Sequence, residues 1–347
     1  MKITNYLNNK YKYYSEFMFG KKSVNFDIDF IFNKWKENLK QIKKENKKIG
    51  LYIHIPYCKN ICYFCDCFSK PGFKKEMKRY IDLLINEIKK FSPILNGINF
   101  NTLYFGGGTP SIISDDYLNK LLKTLYSYFN LKDSHSSFEG CPQTLSDSKI
   151  KILKTFDFTR LTIGVQSFDK EVLELNNRPF ASEKLIRNLV EQCKKYGILV
   201  NLELICGLKG QSLKSFLNDV NRVVKIRPNQ VHLYYWECNP ATLMWYQNEY
   251  NIDLLKQGRH WRKVGFEILR EANYKFFPYS GPADQFKAIN VQIYNSRIHK
   301  GSLLGLGDRA ISNINNNFRY GSIFEKEKFT YKKVLKRFVK YSEVINI

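Results

Sequence analysis

A chain of 347 residues with 44% hydrophobic and 15% aromatic side chains is long enough to bury a sizeable core, and this composition excludes a disordered or fibrous protein. The formal charge of +24 permits a polyanion partner, but the lysines are spread along the whole chain beside helical patterns, as at Lys43-Lys44 and Lys332-Lys333, and no nucleic-acid-binding pattern accompanies them. No apolar run reaches the roughly 20 residues of a membrane span, and the N-terminus lacks a signal-peptide core, so a cytoplasmic protein with neither membrane nor nucleic acid as partner is expected.

Residues 1–49 read as a polar leader containing a helix. Apolar residues recur at helical spacing from Ile28 through Ile31, Phe32, Trp35 and Leu39 to Ile42, and the pattern ends in a lysine-rich turn. From Leu51 the texture changes. Short apolar runs at 51–56, 101–105, 135–139, 160–165, 199–205 and 230–235 alternate with amphipathic stretches at 75–91, 115–129, 146–155, 182–196 and 211–226. Strand–helix alternation with short connections predicts a parallel sheet covered by helices. The expected fold is α/β, a partial (β/α)6 TIM-like barrel over 50–240. After about residue 240 the rhythm breaks into a long helix near 257–272, an aromatic stretch from Tyr274 to Tyr294 and a segment from Leu303 to Ile314. Residues 241–347 are therefore expected to form a C-terminal α/β extension that covers the substrate.

Four of the eight cysteines crowd between Cys58 and Cys67, in LYIHIPYCKNICYFCDCFSK. Cys58, Cys62 and Cys65 have the spacing C-x3-C-x2-C and follow the first strand directly, where a barrel gathers its chemistry. Soft thiolates suit an iron–sulfur cluster or zinc. Structural zinc, with Cys67 as fourth ligand, is the plainer reading, but such sites more often use two separated pairs of ligands. Three ligands on a four-iron cube leave one iron open for a cosubstrate. After the second strand, TLYFGGGTPS (102–111) offers three glycines, Gly106, Gly107 and Gly108, that allow close backbone approach to a ligand.

Together these segments resemble the radical S-adenosylmethionine (SAM) superfamily, and within it the family of oxygen-independent coproporphyrinogen III oxidase and its relatives, the HemN-like proteins. The likeness rests on LYIHIPYC, CYFCDC, TLYFGGGTPS, FEGCP, RLTIGVQSFD, LNNRPF, NLELICGLKGQ and LLGLGDRAIS. It implies a [4Fe–4S] cluster on Cys58, Cys62 and Cys65, and SAM bound at the open iron and cleaved to a 5′-deoxyadenosyl radical. It also implies a low-potential electron donor such as flavodoxin or ferredoxin. The SAM pocket would be formed by Tyr52, Phe64, Gly106, Gly107, Gly108, Thr109, Glu139, Gln166, Arg178 and Glu203. In that pocket Glu139 would reach the sugar and Arg178 a carboxylate, roles that suit the donor and acceptor chemistry of these side chains. Glu203 stands where the family more usually has Asp.

Within the family, CYFCDC keeps the extra cysteine of the oxidase, Cys67, while NVQIYNSR keeps Tyr294 but lacks the His-Asn pair and the Trp of the heme-chaperone branch. HemN-like methyltransferases and cyclopropanases, which use two SAM molecules, tolerate diverged C-terminal regions like this one. The expected substrate is a tetrapyrrole or another conjugated ring, and Cys67, Cys141 and Tyr294 are the catalytic candidates. Cys141 and Cys238, which follow the third and sixth strands, could donate a hydrogen atom or serve only as small buried residues. His54 is expected to support the cluster loop by a hydrogen bond.

Overall fold

The computed structural model describes residues 3–20, 24–72, 74–236, 242–243, 252–277, 281–285, 288, 290, 301–315, 317–325 and 328–334. The leader contributes two helices, α1 (Ile3–Phe19) and α2 (Ile28–Glu45). Helix α2 begins where Asp27 accepts a hydrogen bond from Asp29 N at 2.7 Å and stops at Asn46, whose φ of 48° leaves the helical region. Its stripe of Ile31, Trp35, Leu39 and Ile42 is buried, as the spacing predicts.

Strand β1 (Ile49–Ile55) opens the alternation that periodicity foretold. It is followed by α3 (Lys74–Phe91), β2 (Thr102–Gly107), α4 (Asp115–Tyr128), β3 (His135–Gly140), α5 (Asp147–Thr155) and β4 (Arg160–Gln166). A short α6 (Lys170–Leu175) and α7 (Glu183–Lys195) then lead to β5 (Leu199–Cys206), α8 (Leu213–Ile226) and β6 (Gln230–Tyr235). The six strands pair in parallel and in chain order. Every residue of β4 is buried, which a strand with helices on one side and barrel interior on the other requires. Serines start the outer helices: Ser182 accepts from Leu185 N, and Ser212 and Ser215 cap each other reciprocally.

Helix α9 (Ile252–Glu271) follows, then the antiparallel pair β7 (Lys275–Phe277) and β8 (Gly281–Ala283), which joins β6 through Ala283 and Gln230. At the opposite edge, β9 (Ser302–Leu306) lies parallel to β1, with Leu304 opposite Leu51. It continues into the antiparallel β10 (Ile311–Ile314), β11 (Phe318–Glu325) and β12 (Lys328–Lys333), and Asn25–Phe26 pairs with β12. All belong to one sheet of thirteen strands, and among the described residues its two edges do not pair, so the barrel is open. The C-terminal segment thus extends the barrel sheet at both edges. Trp35 of α2 donates to the Tyr320 hydroxyl at 2.8 Å, tying the leader to β11.

A buried polar knot joins these added strands to the barrel. Asp308 and Arg309, just after β9, form an ion pair at 2.6 Å. The Tyr80 hydroxyl of α3 donates to His54 O at 2.5 Å and receives Asp308 N at 3.0 Å. Glu87, also on α3, accepts from Gly307 N at 2.7 Å and from the Ser322 hydroxyl at 2.5 Å. Burial pushes the Glu87 carboxyl up to about 7, against the lowering effect of those donors. A raised carboxyl holds its proton in the folded state at pH values where the unfolded chain has lost it. Its contribution is therefore full near pH 4.5 and lost as pH rises through about 7. Across that window, the stability of wild type relative to Glu87→Gln is expected to fall by about 3 kcal/mol, read from urea unfolding at fixed pH steps.

Candidate active site

The cysteine loop is closed at its base before any ligand is considered. Tyr57 and Cys58 pair with Lys70 and Pro71, Lys70 N donates to Pro56 O at 2.7 Å, and Gly72 N donates to Cys58 O at 3.2 Å. The loop's far end is held by LNNRPF after α6. Asn176 O accepts from Tyr63 N at 3.1 Å, and Asn177 Nδ2 donates to Ile61 O at 3.0 Å. Arg178 then places Nη1 at 3.7 Å from Cys62 Sγ, while its Nη2 donates to Gly164 O. His54 sits beneath the loop, with Nε2 3.2 Å from Phe68 O and Nδ1 2.8 Å from the Tyr52 hydroxyl. Burial lowers its pKa to about 4, so the ring is neutral near pH 7 and lends the loop a hydrogen bond without a charge.

The glycine run fits against this loop for a steric reason. A Cβ on Gly108 would lie 2.7 Å from Tyr57 O and 3.0 Å from Cys58 Sγ, and one on Gly107, whose φ is +114°, would strike the His54 ring at 2.7 Å. Close approach lets Gly108 N reach Ile55 O at 2.7 Å, Thr109 N reach Tyr57 O at 2.9 Å and the Thr109 hydroxyl reach Cys58 Sγ at 3.2 Å. Gly106 faces Glu139, whose Oε2 would be 3.1 Å from an added Cβ.

A cavity of about 580 Å³ opens at the C-terminal ends of the strands. Its wall includes Cys58, Cys62, Phe64, Cys65, Gly107, Gly108 and Thr109 on one side, with Glu139, Gln166, Arg178 and Glu203 also lining it. Cys67 and Cys141 also face it. Tyr52 and Gly106 do not line it: Tyr52 is engaged with His54, and its ring lies 6.1 Å from that of Tyr104. Tyr294 and Cys238 lie outside the described residues.

Electrostatics within the cavity are uneven. The Glu139 carboxyl is pushed up to about 7, by burial first and by the neighbouring Glu203 charge second, with the Tyr104 hydroxyl donating to it in compensation. Burial also raises Glu203, opposed by Arg160 and Arg178. Two half-buried carboxylates that feel each other's charge are costly unless donors reach them. Gln166 closes β4 at a register shift, with φ of 71°, and its buried Oε1 has no hydrogen-bond partner among the described residues. The residues after it are pinned by Asp219 of α8, which accepts from the Ser167 hydroxyl at 2.6 Å and from Phe168 N at 2.9 Å. Gly164 leaves room for two side-chain ends, since an added Cβ would meet Gln166 Nε2 at 2.7 Å and Arg178 Nη2 at 3.2 Å.

Among the cysteines, a hydrogen bond with Cys67 is the main effect holding the Cys65 thiol well below its usual value, and the same interaction raises Cys67. Cys141 Sγ is spoken for by Gln143 Oε1 at 2.6 Å. Tyr104, Gly164, Asn176, Asn177 and Asp219 serve the site without having been singled out in the sequence. Asn176 and Asn177 were within reach, since they belong to a quoted motif, whereas Asp219 looks like an ordinary helix carboxylate until the fold brings it to β4.

Comparison with known proteins follows the same residues. The model of the radical SAM superfamily matches residues 52–223. The oxygen-independent coproporphyrinogen III oxidase of Pseudomonas aeruginosa is 30% identical over 305 residues, covering 82% of this chain and 65% of that protein. Its Escherichia coli counterpart is 29% identical, covering 77% and 62%. The heme chaperone HemW of Buchnera aphidicola subsp. Schizaphis graminum is 28% identical, covering 82% and 79%. The chain thus spans a little less than two thirds of the length of these two oxidases. The solved structure of coproporphyrinogen III oxidase (HemN) from Escherichia coli, a radical SAM enzyme, superposes with a TM-score of 0.76 at 24% identity, covering 91% of this chain and 77% of that one.

The radical SAM fold implies a [4Fe–4S] cluster and SAM, and the residues present fit both. The thiols of Cys58, Cys62 and Cys65 are soft donors on one loop, with no acceptor-only carboxylate among them. Among the described residues no three Cys, His, Asp or Glu side chains converge on a single metal ion, and a cubane, which takes each thiolate on a different iron, does not ask them to. The unpartnered Gln166 Oε1 and the two raised carboxylates await donors of the kind a ribose carries. No helix among the described residues is long and apolar enough to cross a membrane. Motifs, open parallel sheet and relatives agree: the chain belongs to the radical SAM superfamily, within its HemN-like family.

Proposed function

We propose that this chain acts on a tetrapyrrole or a similar conjugated ring, with decarboxylation of the coproporphyrinogen type as the first reading. The observation that carries it is the single cavity onto which three cluster thiols, two raised carboxylates and Arg178 all open, with Tyr234, Tyr235 and Trp236 lining it as well. Flat aromatic faces suit the planar pyrrole rings of a tetrapyrrole, and the relatives named above include two coproporphyrinogen III oxidases. Bound there, the cluster and SAM would supply a 5′-deoxyadenosyl radical able to take hydrogen from an unactivated carbon. Cys58, Cys62 and Cys65 would hold the cluster, and Cys67 would remain a thiol facing the substrate space. The backbone of Gly107 and Gly108 would receive the methionine amino group, Arg178 its carboxylate, and Glu139 and Glu203 the ribose hydroxyls. Phe64, Cys62, Val172, Leu208 and Trp236 form an apolar cluster beside the cysteine loop that would exclude water.

Arg178 gives a graded test. Arg178→Lys keeps the charge but loses the planar fork, and Arg178→Met loses both. SAM affinity is expected to fall about tenfold in the first and about 100-fold in the second, measured by equilibrium binding on protein with verified iron content.

The reaction is tested by anaerobic reconstitution with iron and sulfide, then incubation with SAM, a one-electron donor of the flavodoxin or ferredoxin class, and coproporphyrinogen III. Carbon dioxide released together with 5′-deoxyadenosine supports the oxidase reading. S-adenosylhomocysteine formed beside 5′-deoxyadenosine would replace it with methyl transfer or cyclopropanation, using two SAM molecules. Stoichiometric heme uptake without SAM cleavage would replace it with heme trafficking.

A further inference from the structure

Lys10 lies on α1, outside every motif that marks the family, yet it is only 2% exposed. Its Nζ donates to the carbonyl oxygen of Cys65 at 2.8 Å, and among the described residues it forms no ion pair. Burying an ammonium without a counter-charge costs several kcal/mol, so its partner should be something negative that the loop acquires. The helix is held in place about one turn after the contact. The Tyr14 ring packs at 5.2 Å from Phe68 of the cysteine loop, and the Ser15 hydroxyl accepts from Arg309 Nε at 2.9 Å. Arg309 itself lies over the Phe68 ring at 5.4 Å. Leader, cluster loop and the turn after β9 therefore meet at one point, with a positive charge directed at the third ligand.

We propose that Lys10 is a positioning residue that supplies a fixed counter-charge to the cluster and raises its reduction potential. A cube held by three thiolates is anionic and gains a further negative charge when an external one-electron donor reduces it. A buried cation beside Cys65 favours that reduced state more than the oxidised one. The leader helix, and not the barrel alone, then sets how readily the electron that precedes SAM cleavage is accepted. This inference rests on the cluster assignment. Wild-type protein that takes up no iron and sulfide overturns both, whereas a loaded cluster indifferent to Lys10 overturns this one alone.

The test is a redox titration of the reconstituted full-length protein, followed by the spectroscopic signal of the reduced cluster, in wild type, Lys10→Met, Lys10→Gln and Lys10→Arg. In the Met and Gln variants the ratio of reduced to oxidised cluster at a given potential is expected to drop at least tenfold, a shift of about 59 mV for one electron. Arg is expected to stay near wild type. Gln keeps a donor for the Cys65 carbonyl without charge, so a shift in Gln as large as in Met assigns the effect to charge. Unchanged potential in a fully loaded Met variant overturns the proposal, as does an Arg variant displaced as far as Met. If the neutral variants lose the cluster while Arg retains it, the counter-charge is upheld; loss in all three assigns the residue to packing and overturns it.

Discussion

Alanine at Cys58, Cys62 or Cys65 is expected to remove iron, sulfide and SAM cleavage together, down to background, while Cys67→Ala retains a loaded cluster. The asymmetry follows from the loop. Cys58 and Cys62 are buried and face the Thr109 hydroxyl and the Arg178 guanidinium respectively, and Cys65 Sγ lies 4.0 Å from the Ser69 hydroxyl. Each can present a thiolate to a separate iron. Cys67 is exposed and has Asp66 Oδ1 as its neighbour at 3.8 Å, a setting that disfavours a second anion. Iron and sulfide analysis on anaerobically reconstituted variants reads the first effect, and 5′-deoxyadenosine formation reads the second. If Cys67→Ala emptied the site, four thiolates would be holding the metal and the open iron would be lost.

Asp308→Ala is expected to be nearly as damaging, through the fold and not the chemistry. Asp308 is fully buried and accepts from Arg309 Nη1 at 2.6 Å, Phe324 N at 3.0 Å and Lys70 Nζ at 3.3 Å. Removing one partner of a buried ion pair leaves the other charge unmatched and costs about 3–5 kcal/mol. Because Lys70 closes the cysteine loop and Arg309 reaches α1, the loss should loosen the cluster loop as well. Urea unfolding of the apo protein measures the stability change. A double variant, Asp308→Ala with Arg309→Met, should lose less than the sum of the two single changes, since it removes the stranded cation too. Additivity would show that the two residues are not coupled.

Much of the barrel was legible because periodicity suffices for it. The strand at 160–166 sets apolar Leu161, Ile163 and Val165 at alternate positions and the helix at 183–195 is amphipathic, and each reads as what it is without its neighbours. The cysteines, the glycine run and LNNRPF were legible for a different reason: they are local, and their chemistry is carried by spacing. By contrast, the run SLLGL at 302–306 has nothing in its own residues to say that it will pair beside Leu51, some 250 positions earlier. Parallel pairing across such a distance depends on the whole sheet being in place. Lys10 is a more extreme case, one lysine among many in a basic leader, and only its 2% exposure distinguishes it.

The division follows the range of the interactions. Side-chain period, turn chemistry and ligand spacing act over a few residues, so the chain's order of letters already specified a parallel α/β sheet and three thiols on one loop. Which carboxylates face each other, which asparagines hold the loop and which cation approaches Cys65 are matters of burial and charge between segments remote in the chain. Those interactions exist only once the strands are aligned and water has been driven out, and so they were decided by tertiary packing.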